Sequence, residues 1–269
     1  MEACARIDAM ALELLPLLKV QRAVLDTPPG PGRFQRYLAA MLDKDGDMAL
    51  PLAAFNPMSK PHVTALLDSL LAMGAEGEAQ SALAEAARRL GPDTPQLRVG
   101  LVVVDDARGG WTNRFLTDAD HRFGGATYAK RGFATGYLWT GDETTRAMIR
   151  AEILATIYRH CYKARNGLPQ TLREMLTLEG LTFTFSGVTT PLDEGAALRT
   201  RSIITPLLDE AAQPTVIACL YGDEAAISVG YPPLGVPAWG GFALAAIAAR
   251  AQRWDPLKAL RGVATLRFR

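Results

Sequence analysis

The sequence predicts a helix-rich α+β fold: an N-terminal helical part packed with a mixed β-sheet of about four to six strands. Three observations carry this expectation. Residues 1–92 set their apolar side chains at helical spacing, and from Leu97 onward the period shifts to β-branched runs. Beyond that point helix-like and strand-like stretches do not strictly alternate, which separates α+β from a doubly wound sheet. The natural division is a helical region at 1–92 and an α/β-type region at 93–269, as two units or one continuous domain.

Residues from about Cys4 to Leu25 place Ile7, Met10, Leu14, Leu17 and Leu18 at helical spacing, with Pro16 kinking or dividing the segment. The run Thr27-Pro28-Pro29-Gly30-Pro31-Gly32 stops it. A second helix carries Phe34, Tyr37, Leu38 and Met41 on one face and ends at Asp43-Lys44-Asp45-Gly46. In the third, Ser59 is placed to cap and Pro61 sits in the first turn, where a missing N–H costs nothing. Val63, Leu66, Leu67, Leu70 and Leu71 then form its apolar stripe, and Gly74 closes it. An alanine-rich fourth helix runs from Glu78 to Leu90 and ends at Gly91-Pro92.

Leu97 to Val104 reads as a buried strand, followed by a long polar loop and a second strand at Phe133 to Trp139. Thr140 and Glu143 have capping-box spacing and introduce a long helix from about Glu143 to Arg165. A shorter helix runs from Pro169 to Leu178. The alternation Leu181-Thr182-Phe183-Thr184-Phe185 predicts a half-buried strand. Pro214 to Leu220 and Ala225 to Val229, separated by Tyr221-Gly222-Asp223-Glu224, predict a hairpin. A Pro/Gly-rich loop, Tyr231 to Gly241, leads into an apolar helix from Phe242 to Trp254.

Composition narrows the partners. The chain has 269 residues, 49% of them hydrophobic, enough for a sizeable core. Its formal net charge of +1 supplies no bulk attraction to nucleic acid or an anionic membrane. Trp111, Trp139 and Trp239 are not interleaved with a basic stripe, so stacking on single strands lacks its electrostatic half. Cys4, Cys161 and Cys219 form neither a CxxC pair nor a disulfide framework, which fits a reducing compartment. The N-terminal stretch is amphipathic and has Glu13 inside it, unlike a secretory signal. The apolar stretch at Phe242 to Ala249 is far short of the ~20 residues of a membrane span. The expectation is a cytoplasmic protein with no nucleic-acid or membrane partner.

Signature motifs are absent. There is no GxxxxGK[ST], no GxGxxG after a strand and no GxSxG. The register that would hold HExxH is Ala151-Glu152-Ile153-Leu154-Ala155, with alanine at both ligand positions. No cofactor and no metal are expected, although His121 with Asp118 or Asp120 has the donor types of a small oxygen-rich metal site.

The segment Leu97 to Arg114 carries the first candidate chemistry, because ligands gather where strands end at their carboxyl edge. Asp105 or Asp106 would act as acid or base, with Arg108 and Arg114 gripping an anionic group. Gly109 and Gly110 would let the backbone approach a ligand, Trp111 would form an apolar wall, and Asn113 would contact substrate. The competing reading is a turn whose acids and arginines pair with each other while Trp111 anchors it. On the long helix, Glu152 and Arg159 are seven residues apart and share a face. Glu152 is then a general base and Arg159 or His160 a substrate contact, with His121 as a further participant; alternatively Glu152 and Arg159 belong to an internal ion pair.

The chain thus reads as an enzyme, of hydrolase or lyase type, acting on a small polar or anionic organic molecule by carboxylate acid/base chemistry. The alternative is a non-catalytic binding or assembly protein. In it Val236, Trp239 and Phe242 of the Pro/Gly-rich loop dock a protein partner or a second copy.

Overall fold

The two β-branched runs form strands and pair with each other. In the computed structural model, which describes residues 11–107 and 112–262, β1 (Leu12–Leu15), β2 (Leu97–Val104) and β3 (Phe133–Trp139) make a sheet in the order β1-β2-β3. Both pairings are parallel. Among the described residues the sheet therefore has three strands and is not mixed, which corrects the expected four to six. The helix-rich α+β class holds.

Parallel neighbours need crossover connections. Helices α1 (Leu17–Leu25), α2 (Pro31–Met41), α3 (Pro61–Met73) and α4 (Ala75–Leu90) join β1 to β2. Helices α5 (Arg114–Phe123) and α6 (Ala126–Lys130) join β2 to β3. After β3 come α7 (Arg146–Asn166), α8 (Leu172–Ser186), α9 (Glu194–Ile204), α10 (Gln213–Tyr221), α11 (Asp223–Ser228), α12 (Gly240–Ala251) and α13 (Pro256–Leu260).

Two close approaches set the layers. A Cβ on Gly100 would stand 2.5 Å from Leu17 Cδ1 of α1, and one on Gly136 would stand 3.0 Å from Glu152 Cγ of α7. The register pairs Leu101 with Gly136, so Gly100 and Gly136 face opposite sides of the sheet. α1 and α7 accordingly cover opposite faces. α7 also packs on α4 and α8, and α8 on α12. This burial on several sides is why Ile149, Ile153, Leu154, Ile157 and Tyr158 are all inaccessible to solvent.

β3 is an edge strand, and its free backbone groups are capped by α7. Tyr137 N donates to Glu152 Oε1 at 3.3 Å, and Thr156 Oγ1 donates to Thr135 O at 3.5 Å. Glu152 and Thr156 are four apart and so stand one above the other on the helix. Two of the groups that another strand would need are thereby engaged.

Several local expectations are overturned. The segment Leu12–Leu15 is a strand, not the middle of a helix, because Leu12 to Leu15 pair with Leu97 to Gly100; four residues are too few to show a period of their own. Pro16 ends this strand and caps α1. Residues 181–185 belong to α8. Leu181, Thr182, Phe183 and Phe185 are all buried, so the alternation reflects no in/out pattern. The hydroxyls of Thr182 and Thr184 bond back to Leu178 O and Gly180 O, each at i−4, and remain satisfied in a helix. The expected hairpin is a pair of helices, α10 and α11, with Pro214 in the first turn where it is tolerated.

Caps also move. Lys60, not Ser59, precedes α3, and Ser59 Oγ is buried without a hydrogen-bond partner. Thr145 caps α7 in place of Thr140. A capping box does occur, at Thr171 and Glu174 of α8. The polar stretch after β2 is partly helical, with Asn113 capping α5 by accepting from Leu116 N at 3.0 Å.

Candidate functional site

α5 carries polar residues at both ends, and each end meets a different cluster. At its start lies the carboxyl edge of the sheet. Asp105, which directly follows β2, is buried and sits with its Oδ1 2.8 Å from His62 Nε2. Asp106 Oδ1 accepts from Gly141 N at 2.8 Å. Thr140 joins the two: its Oγ1 accepts from Asp106 N and Ala107 N and donates toward Asp105 Oδ1 or Asp106 Oδ1, at 3.1 and 3.0 Å.

Arg114 completes this cluster. Its Nη1 reaches Asp106 Oδ2 at 3.0 Å and Asp142 Oδ1 at 2.8 Å, and its Nη2 reaches Asp142 Oδ2 at 2.6 Å. The guanidinium lies between Trp139 and Trp239, 5.3 and 5.4 Å from the ring centroids. Asp105, Asp106 and Arg114 are thus brought together, but Asp106 is committed to Arg114, and Arg114 to both Asp106 and Asp142. Asn113 serves as the α5 cap. Arg108, Gly109, Gly110 and Trp111 lie outside the described residues.

Thr140 makes a local prediction. Thr140→Val should cost about 1–3 kcal/mol, since it strips a donor from a buried carboxylate and an acceptor from two N–H groups. Thr140→Ser should restore most of it. Urea unfolding of the three proteins compares them.

The second cluster lies beside the free edge of β3. One face of α7 presents Glu152, Thr156, Arg159 and Lys163 to it, and α5 presents Asp118, His121 and Arg122. Arg159 does not pair with Glu152. Its Nε and Nη2 bond Glu179 of α8 at 2.7 and 2.9 Å. Arg122 links Glu179 Oε2 at 2.7 Å to Asp118 Oδ2 at 2.6 Å, and Tyr221 OH donates to Asp118 at 2.8 Å. Burial pushes the Glu179 carboxyl up, but Arg159 and Arg122 outweigh it and hold it below its ordinary range.

His121 and Glu152 stand next to this network. The imidazole stacks on Tyr137, with ring centroids 3.7 Å apart and planes 12° from parallel. Its Nε2 is 4.0 Å from Glu152 Oε1. Burial, then Arg159, Lys163 and Arg122, lower the His121 pKa well below its usual value, so the ring is neutral. Burial raises the Glu152 pKa against the opposing pull of Arg159 and Arg122. Burial and Arg159 bring Lys163 down to about 8. Its Nζ caps the end of α5, donating to the carbonyls of His121, Arg122 and Gly124 at 3.5, 3.0 and 2.9 Å.

Two cavities, of about 240 and 510 Å³, share His121, Gly124, Gly125, Tyr128 and Leu168. They lie side by side along α5 and α6, as two arms of a cleft, with His121 in the wall of both. The smaller arm runs along β3 and α7 to Thr135, Arg159 and His160. The larger reaches Thr112, Thr117 and Asp120. Arg159 Nη1 and Thr135 Oγ1 are both buried without a hydrogen-bond partner.

Glu152, His121 and Arg159 thus converge, whereas Asp105, Asp106 and Arg114 form a separate set. Glu179, Tyr137, Thr135, His62 and Asp142 were not singled out from the sequence as site residues, and Thr140 was read only as a helix cap. For Glu179 a signal existed, since it interrupts an apolar run that includes Leu176, Leu178 and Leu181. Asp118 is engaged with Arg122 and Tyr221, Asp120 lines the larger arm, and no group of three or more metal-ligating side chains converges among the described residues. Cys161 and Cys219 are buried, which pushes both thiols up to about 12. Val236 and Phe242 are core residues. Trp239 is half-buried and packs on Phe115, Tyr221 and Phe242. Among the described residues, no helix is long and apolar enough to cross a membrane.

No family model, curated protein or solved structure matches the chain.

Proposed function

We propose that the protein is an enzyme acting on a small organic anion in the cleft along α5 and α6, with His121 as proton acceptor and Glu152 as its carboxylate partner. The observation that carries this reading is the position of His121. Its imidazole, which burial and the neighbouring cations hold toward the neutral form, lines both cavities and stands 4.0 Å from Glu152. The neutral ring has a lone pair free to accept a proton; burial and the neighbouring cations disfavour the imidazolium, and Glu152 is the carboxylate placed to offset them. Tyr137 holds the ring plane by stacking, and the edge N–H of the same residue holds Glu152. Arg159, in the wall of the smaller arm, supplies the contact for negative charge.

This reading moves the acid/base pair away from Asp105 and Asp106. Those carboxylates are satisfied by His62, Thr140, Gly141 and Arg114, and neither lines a cavity of the cleft.

A thermal-shift screen against carboxylated and phosphorylated metabolites, followed by NMR assay of the hits for turnover, tests it. A ligand at about 100 times its Kd stabilises the fold by roughly 2.7 kcal/mol. His121→Asn is expected to keep that stabilisation and to lower turnover by about 10²–10⁴. Turnover that survives this substitution would place the chemistry elsewhere.

A further inference from the structure

We infer that the smaller arm of the cleft takes a monocarboxylate with a compact apolar body, its carboxylate seated on Arg159 Nη1 and Thr135 Oγ1. The inference rests on the reading above in taking this cleft as the binding site, and it adds the class of ligand.

The two seats are atoms the fold leaves unused. Arg159 is 4% exposed, and its Nε and Nη2 are turned onto Glu179, so Nη1 is the corner left for the cavity it lines. Thr135 is 1% exposed, belongs to the edge strand and lines the same cavity. Arg159 Nη1 lacks a partner, and Thr135 Oγ1 has only the side chain of Tyr137 beside it. A buried donor without an acceptor costs free energy, and the oxygens of a carboxylate in this cavity would supply acceptors.

Charge sets the valence. Arg122 and Arg159 are balanced by Asp118 and Glu179. Lys163 adds one positive charge at the cavity wall, but its three protons already meet three carbonyls. His121 is uncharged, and Glu152 borders the site. With Glu152 counted as the carboxylate of the reading above these charges cancel, and a site without net charge takes one negative charge on Arg159 more readily than two. Asp120 lines the larger arm, so a second carboxylate extending there would meet a like charge.

The walls set the body. Ala129, Phe133, Ala134, Ala164 and Leu168 line the smaller arm. Its volume of about 240 Å³ leaves room for an aromatic ring or a short alkyl chain with a carboxylate.

Isothermal titration of the full chain with benzoate and hexanoate tests this, against benzamide and 1-hexanol as uncharged counterparts and against succinate and inorganic phosphate. The expected result is saturable binding of a monocarboxylate, at least about tenfold tighter than its uncharged counterpart and than either dianion. Ala164 is exposed yet lines the cavity, so it stands at the rim. Ala164→Phe should abolish binding with the melting temperature unchanged, and Thr135→Val should weaken it several-fold. Arg159→Lys removes the fork to Glu179 and is expected to destabilise, so the two other variants carry the test.

Equal affinity for acid and uncharged counterpart overturns the inference. So does equal affinity for phosphate, undiminished binding by Ala164→Phe, or no carboxylate binding at millimolar concentration. Carboxylate binding with no turnover of any carboxylate overturns the catalytic reading alone. Turnover of a different ligand, lost in His121→Asn, with no carboxylate binding, overturns the ligand class alone.

Discussion

Glu179→Ala is expected to lose about 3–5 kcal/mol of stability, the cost of breaking a buried ion pair from one side. Glu179 is fully buried and accepts from Arg159 twice and from Arg122 once. Without it two guanidinium groups stay inside the protein with only Asp118 to answer them. The loss should come from the uncompensated charge rather than from volume. A double variant, Glu179→Leu with Arg159→Met, should therefore recover much of the stability that Glu179→Ala loses. Urea denaturation of the single and double variants measures both, and a double variant no more stable than the single would mean that packing, not charge, is at stake.

The same carboxylate makes the fold acid-sensitive. The folded-state pKa of Glu179 is depressed below its unfolded value, so its contribution is complete above the unfolded value of about 4.3 and disappears as pH falls through the folded pKa. As pH falls below about 4.3 the wild type should lose stability more steeply than Glu179→Gln, which has no proton to take up there.

Gly222→Ala is expected to lose about 3 kcal/mol or more, from two additive sources. Gly222 has φ +92°, a conformation that costs L-residues roughly 1–3 kcal/mol. An added Cβ would also lie 2.4 Å from Pro237 O and 2.9 Å from Ala238 Cα. Both are backbone atoms, so the clash cannot be relieved by rotating a side chain, and overpacking of this kind costs about 1–3 kcal/mol more. The contact holds the turn between α10 and α11 against the loop before α12, where Trp239 N donates to Tyr221 O at 2.9 Å. Tyr221 in turn supports Asp118. Thermal unfolding with near-ultraviolet circular dichroism should show a lowered melting temperature and a disturbed environment for Tyr221 and Trp239. An unchanged melting temperature would show that this backbone approach is not tight.

The legible parts of this chain are those whose signals are local. β2 and β3 are strands at the expected residues because β-branched and aromatic runs bounded by turn residues have few other uses. Pro61 opens α3 and Gly74 closes it, since a missing N–H and a left-handed φ each suit one end of a helix. The proximity of Asp105, Asp106 and Arg114 follows from chain distance alone.

What the sequence by itself determined is therefore the helix-rich α+β class, the two central strands and the polar cluster at their carboxyl edge. The tertiary structure alone decided the rest. Thr182 and Thr184 alternate with apolar residues as in a strand, yet Thr182 is buried and Thr184 exposed, so the alternation marks no face of α8. β1 exists only because Leu97 to Gly100 lie beside it. His121, Glu152 and Glu179 come from three helices and meet at the free edge of β3, a meeting no spacing encodes. Local propensity acts within a few residues, whereas the partners of a buried charge are chosen by how helices far apart in the chain pack on one sheet.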